Sequence, residues 1–259
     1  MRLKTFFLIL TLLYSADAFA FSVRHDFLVH IGAFDAAKVK FTYEINPRDY
    51  GIRSEIATNG FFNTLYPFVA EYDTSGTIDA DKITSHDYQY VSQSRFKTRS
   101  KQVLFNNQGM PVSQIVITNG KKKTRDFKPS PTPADTFDLQ TILMKIAYQY
   151  NKFGFCASNM AVYDGKRRFD VEVSDNGNDE LVSDDNSPFS GTANLCTMRI
   201  KKNLSEDDDT LWEFASNKNI DFWIMRDRQT DLPFIARVRI KGTPLGELNA
   251  YAIEINFED

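Results

Sequence analysis

Period-two alternation runs through most of the chain after its first twenty residues and limits the fold more than any other feature. Val39, Phe41, Tyr43 and Ile45 alternate with Lys38, Lys40, Thr42 and Glu44, which puts the apolar set on one face of a half-buried strand. Similar patterns recur over 22–31, 51–58, 86–95, 99–106, 112–118, 160–174, 194–202, 220–226, 234–241 and 247–257. The expectation is an antiparallel β protein. Asn107-Gln108-Gly109, Asn119-Gly120, Asp164-Gly165 and Asn176-Gly177 lie between or beside these runs, where Gly or Asn supplies the positive φ of tight hairpins. Asp164-Gly165 is the clearest, with Met160–Tyr163 and Arg168–Val173 paired across it.

One segment departs from the alternation. After Pro129, Pro131 and Pro133, Asp135 reads as an N-cap, and Phe137, Leu139, Ile142, Leu143, Ile146, Ala147 and Tyr150 follow at helical spacing until Gly154. Such a helix, embedded in a β protein, packs against the concave face of the sheet. A second, brief helix is expected within Phe61–Tyr72, broken by Pro67. With no internal repeat and no sharp composition shift, one domain is expected over 21–259.

Residues 1–20 read as an export signal. Arg2 and Lys4 precede an apolar run from Thr5 to Tyr14, and Ala18-Phe19-Ala20 places small residues at a cleavage site, with Ala16-Asp17-Ala18 as a second site. That run is far shorter than the roughly 20 residues a membrane-spanning helix needs. No later stretch approaches that length, so the mature chain is expected to be periplasmic and to lack a transmembrane segment. In an oxidising compartment Cys156 and Cys196 are expected to form a disulfide, the alternative being a buried pair of thiols.

The chemistry of the chain is sparse. Its three histidines, His25, His30 and His86, fit no metal-ligand spacing. There is no G-x-S-x-G elbow, P-loop or G-x-G-x-x-G, so no catalytic residue, metal or cofactor is expected. Thirty-one Lys and Arg against 34 Asp and Glu give no basic footprint for nucleic acid. Asp175–Glu180 reads as a solvated hairpin tip rather than a calcium loop, and Glu206–Asp209 as an exposed acidic loop, with a weak divalent ion left open at either. Lys121, Lys122 and Lys123, with Arg125, and Lys166, Arg167 and Arg168 read as charged hairpin tips and as candidate contacts to an anionic envelope surface.

The order Cys156, then Val162 to Val171 (VYDGKRRFDV), then Phe189-Ser190-Gly191, then Cys196 resembles the domain-of-unknown-function 3108 family, exported proteins of Gram-negative bacteria. Phe222-Trp223-Ile224, Leu232-Pro233 and Leu245-Gly246-Glu247-Leu248 look like that family's closing strands, and Gly32–Val39 fits more loosely. Asp207–Asp209 departs from the family's Gly-containing turn. The resemblance implies a mainly β fold, a curved antiparallel sheet or incompletely closed β-barrel wrapping an amphipathic helix, with a shape like that of periplasmic lipoprotein carriers. It implies no activity.

The 22 Phe and 11 Tyr are ordinary strand core in the first instance. They also motivate a non-enzymatic carrier for a lipid or acyl ligand, with Phe137, Leu139, Ile142, Leu143, Ile146 and Tyr150 as its apolar lining. The alternatives are an envelope scaffold that binds another protein and, less favoured, a hydrolase. An empty apolar space of roughly 300 Å³ or more between helix and sheet favours the carrier.

Overall fold

A computed structural model describes residues 21–79, 82–127, 136–164, 168–202 and 218–258. Alternating strands connected by short turns pair with their sequence neighbours, and this chain forms almost one continuous meander. The first half comprises β1 (Phe21–Ile31), β2 (Phe34–Ile45), β3 (Asp49–Thr58), the short helix α1 (Gly60–Leu65), β4 (Phe68–Asp79), β5 (Lys82–Ser94), β6 (Thr98–Phe105), β7 (Pro111–Thr118) and β8 (Lys121–Asp126). The second comprises β9 (Thr136–Phe137), α2 (Leu139–Phe153), β10 (Ser158–Tyr163), β11 (Arg168–Leu181), β12 (Gly191–Lys202), β13 (Asn219–Arg226), β14 (Pro233–Thr243) and β15 (Gly246–Glu258).

All fifteen strands belong to one sheet, in the order β8-β7-β6-β5-β4-β3-β2-β1-β15-β14-β13-β12-β11-β10-β9. The first and last strands pair at its centre, Ser22 opposite Glu258 and Ile31 opposite Leu248. Its two ends, β8 and β9, are close in sequence but not paired with each other, so the barrel is incompletely closed. Across the opening, Lys101 Nζ donates to the Asp164 carbonyl at 2.7 Å, and Thr136 N donates to the Gly109 carbonyl at 3.2 Å. Tyr163 packs there with Val103, Phe105 and Tyr88.

Helix α2 fills much of the interior. Phe137, Ile142 and Ile146 join Met160, Val162, Phe169, Val171, Phe222 and Ile224 in the largest core, each large apolar side chain contributing up to about 2 kcal/mol by burial. Gly154 ends the helix in the left-handed conformation, φ 75°, as its C-cap position demands. Three residues after α2 ends, Cys156 is disulfide-bonded to Cys196 on β12, with the two Cα atoms 6.4 Å apart.

Four local expectations need correction. The N-cap of α2 is Asp138, whose side chain accepts from Gln140 N and Thr141 N; Asp135 lies outside the described residues. The cap is displaced because Thr136 and Phe137 pair with Ala161 and Val162 as β9. The helix within 61–72 stops at Leu65, before Pro67, and the rest of that range enters β4. Asn176-Gly177 is a bulge inside β11, so Asp175–Glu180 lies along a strand and is no hairpin tip. Finally, Lys121, Lys122 and Lys123 form the first half of the edge strand β8, beyond the Asn119-Gly120 turn.

Candidate functional site

The N-terminal end of α2 meets β3, β4 and β5 through a buried polar cluster. Asp138 is fully buried. Its Oδ1 accepts from Gln140 N at 2.9 Å and Thr141 N at 3.1 Å, and Thr74 Oγ1 approaches it at 2.9 Å. Its Oδ2 accepts from Ser85 Oγ at 2.7 Å and from Thr141 Oγ1 at 2.5 Å. The Tyr50 hydroxyl, kept protonated by burial and by the nearby Asp138 charge, donates to Thr141 Oγ1 at 2.8 Å. Gln140 Nε2 donates to Ser54 Oγ at 2.6 Å. Gly76 completes the fit, because a Cβ there would come within 2.5 Å of the Tyr50 ring. A carboxylate with this many donors and no exposure holds the helix in place: its partners replace the water it lost.

Beyond this anchor, α2 runs alongside β4, β10 and β14. On the side of β1 and β2, Met144 and Tyr148 of α2 pack in a second apolar cluster with Tyr43, Ile45, Tyr50, Ile52, Ile78 and Ile83, and a cavity of about 370 Å³ lies beside it. Val23 and His25 of β1, Tyr43 and Ile45 of β2 and Ile78 of β4 form one wall. Leu143, Met144, Ile146, Ala147 and Tyr148 of α2 form the other, and Ile224, Phe234 and Ile235 close the side. Asn46-Pro47, Leu232-Pro233 and Asn151 also line it. The β2–β3 and β13–β14 connections that carry Asn46-Pro47 and Leu232 leave the sheet at the same end, and with Asn46, Pro47 and Asn151 exposed they mark the mouth.

Among the described residues no Asp, Glu, Lys or Arg lines this cavity. Its one titratable base, His25, is 6% exposed, and burial lowers its pKa from 6.5 to about 4, opposed by the charge of Asp26. Its ring packs against Tyr43 at 5.6 Å and Phe27 at 6.1 Å. The cavity is therefore uncharged at neutral pH, while Arg226 sits beside the mouth with its Nη1 3.3 Å from Asn151 Oδ1. Such a space takes an apolar chain and leaves a polar head group at the opening.

The six residues named from the sequence as a helix lining divide among different surroundings, and Phe137 lies on β9 ahead of the helix. Leu143 and Ile146 line the cavity. Phe137 and Ile142 are core, and Tyr150 packs partly against that core, with Arg226 over its ring at 5.5 Å. Leu139, at the first position of α2, is 37% exposed. The wall from β1, β2 and β14 carries only a weak sequence signal, Val23 and His25 sharing one face in the alternation of β1.

The remaining candidates lie elsewhere. Lys121, Lys122 and Lys123 are exposed on β8. Arg168 begins β11 with its guanidinium over the Tyr163 ring at 5.7 Å, and Lys166 and Arg167 lie outside the described residues, as does Glu206–Asp209. Asp175 caps Cys156 N at 3.0 Å and receives Asn194 Nδ2 at 3.0 Å. Asp179 accepts from Trp223 Nε1 at 2.8 Å, which satisfies the indole of a side chain only 2% exposed. Among the described residues no helix is long and apolar enough to cross a membrane.

Among curated proteins none matches the chain. A solved structure of similar fold is the beta-barrel-like protein of domain of unknown function DUF1849 from Brucella abortus. The likeness has a TM-score of 0.51 at 10% identity, over 93% of this chain and 98% of that one. At that identity the likeness is one of fold. Residues 26–252 match the family described as protein of unknown function (DUF3108), and the chain belongs to that family.

Proposed function

We propose that this protein is a non-enzymatic component of the bacterial cell envelope, exported to the periplasm, that holds a single acyl chain between α2 and the central strands. The observation that carries this reading is the uncharged, mostly apolar cavity of about 370 Å³ with one open end. That size is at the lower end of ligand pockets, which suits one chain rather than the paired tails of a phospholipid. His25, neutral at physiological pH, adds a polar contact without the cost of a buried charge. Arg226 beside the mouth, whose ion pair with the exposed Asp231 carboxylate is 3.4 Å long, offers a cation that a carboxylate or phosphate head group can share. The apparent export signal, the disulfide and the carrier-like shape expected of the family support the same reading.

The test is lipid extraction and native mass spectrometry of protein purified from the periplasm, paired with uptake of a fluorescent fatty acid by delipidated protein. Bound acyl species and saturable uptake are expected. Ala147→Trp, which fills the cavity from the helix side, should abolish uptake while leaving the disulfide and the thermal transition intact. A clean apo mass with no uptake would sink the proposal.

A further inference from the structure

The end of the sheet opposite the cavity mouth carries a second feature, built from hairpin tips. Because β1 to β8, β15 and β14 are successive antiparallel neighbours, the β1–β2, β5–β6, β7–β8 and β14–β15 turns and the α1 connection all emerge at one end. Hydrogen bonds join them in two neighbouring groups: Gly32 N donates to the Glu247 carbonyl and Asn59 N to the Ala36 carbonyl, each at 2.9 Å, and Thr98 N donates to Asn119 Oδ1 at 2.9 Å.

Their apolar side chains point outward. Phe34, Phe61, Leu65, Tyr66, Phe96 and Leu245 are each more than half exposed, and α1 buries none of its residues. Phe34 meets Phe61 and Phe62 at ring distances of 6.0 and 6.5 Å. An apolar cluster of this size on a polar protein marks a contact surface. Exposed cations stand among the rings: Arg95 and Lys97 flank Phe96, Lys121 and Lys122 follow the β7–β8 turn, and Lys241 precedes the β14–β15 turn. The acidic groups nearby have partners, Asp35 facing His30 Nδ1 at 3.4 Å and Glu247 accepting from Asn249 Nδ2 at 2.9 Å.

We infer that this rim docks onto an anionic phospholipid bilayer. Rings carried on separate turns can enter a head-group layer one by one, and the exposed cations beside them complement an anionic surface. Interleaved Lys and Arg supply the attraction that one or two inserted rings alone lack. Docking by this rim holds the cavity mouth away from the membrane, so the two ends of the barrel have different partners.

Flotation with vesicles tests the inference, using protein expressed from its full sequence and purified as the cell leaves it. One set of vesicles is phosphatidylcholine alone and the other is phosphatidylcholine mixed with phosphatidylglycerol. Binding is expected to the anionic vesicles and to fall as salt rises. Neutralising Arg95 and Lys97 as R95Q and K97Q should weaken it by about 30-fold. The exposed pair F61S and L65S should abolish it without moving the thermal transition. Ala147→Trp should bind like the parent, since the rim is remote from the cavity. The inference is overturned if both rim variants float like the parent, if neutral vesicles bind equally well, or if F61S and L65S instead dissolve a lipid-independent dimer.

Discussion

The two ends of α2 are held by opposite means. At its start, Asp138, Thr141 and Gln140 meet Tyr50, Ser54, Thr74 and Ser85 in a saturated polar cluster. Further along, Ile142 and Ile146 pack into an apolar core beside the Cys156–Cys196 disulfide, and on the other flank Met144 and Tyr148 pack with Tyr43 and Ile45 of β2 while leaving a cavity beside them. Directional hydrogen bonds fix where a helix begins and how it is rotated, because few arrangements satisfy every donor. Apolar packing stabilises without specifying every neighbour, so it tolerates an unfilled side. The polar end thus sets the position of α2 and the apolar end leaves the room beside it.

The largest expected effect comes from removing the anchor. Asp138→Ala leaves two backbone N–H groups and three hydroxyls without their acceptor, and should cost about 5 kcal/mol in urea unfolding. A loss below 1 kcal/mol would break the contrast between the two ends. Reducing the disulfide acts at the other end, freeing a closure with a sequence separation of 40. It should cost about 4 kcal/mol by the chain-entropy account, and the Cys156→Ser, Cys196→Ser protein should lose the same amount.

A smaller effect is set by acid. His25 titrates near 6.5 when unfolded and at about 4 when folded, so between those values the unfolded chain binds more protons. Stability should fall as pH drops through that window, by about 3 kcal/mol in total, and be flat with respect to this group above it. Measuring the urea midpoint against pH for the parent and His25→Gln isolates the contribution; an identical slope in both would show that the cavity wall is wetter than described.

Much of this architecture is legible in the sequence, because half-buried strands must alternate and a helix packed inside a sheet must carry a broad apolar face. The legible parts are the strands β1 to β3, β5 to β7 and β10 to β15, the body of α2 and the cysteine pair. β4 escaped notice because its inward residues include Thr74 and Gly76, chosen to meet the Asp138 cluster and the Tyr50 ring rather than to be greasy. β8 escaped because all of its residues are exposed and a strand with no buried face has no alternation to show; its lysines suit an unpaired sheet edge. Asp138 was hidden behind Asp135, since β9 delays the helix through a pairing with β10 that no local pattern encodes. The cavity could be read only on its helix side. Its other wall comes from β1, β2 and β4, strands far from α2 in sequence, brought beside it by the sheet that closes where β1 meets β15.

The most direct test of the acyl-chain account is a crystal structure of the protein soaked with a fatty acid brominated along its chain. The account predicts anomalous bromine density between α2 and β1, beside His25 and Ala147, with the carboxylate at the Asn151 mouth near Arg226. Bromine confined to the outer surface, with the cavity empty or filled by water, would contradict it.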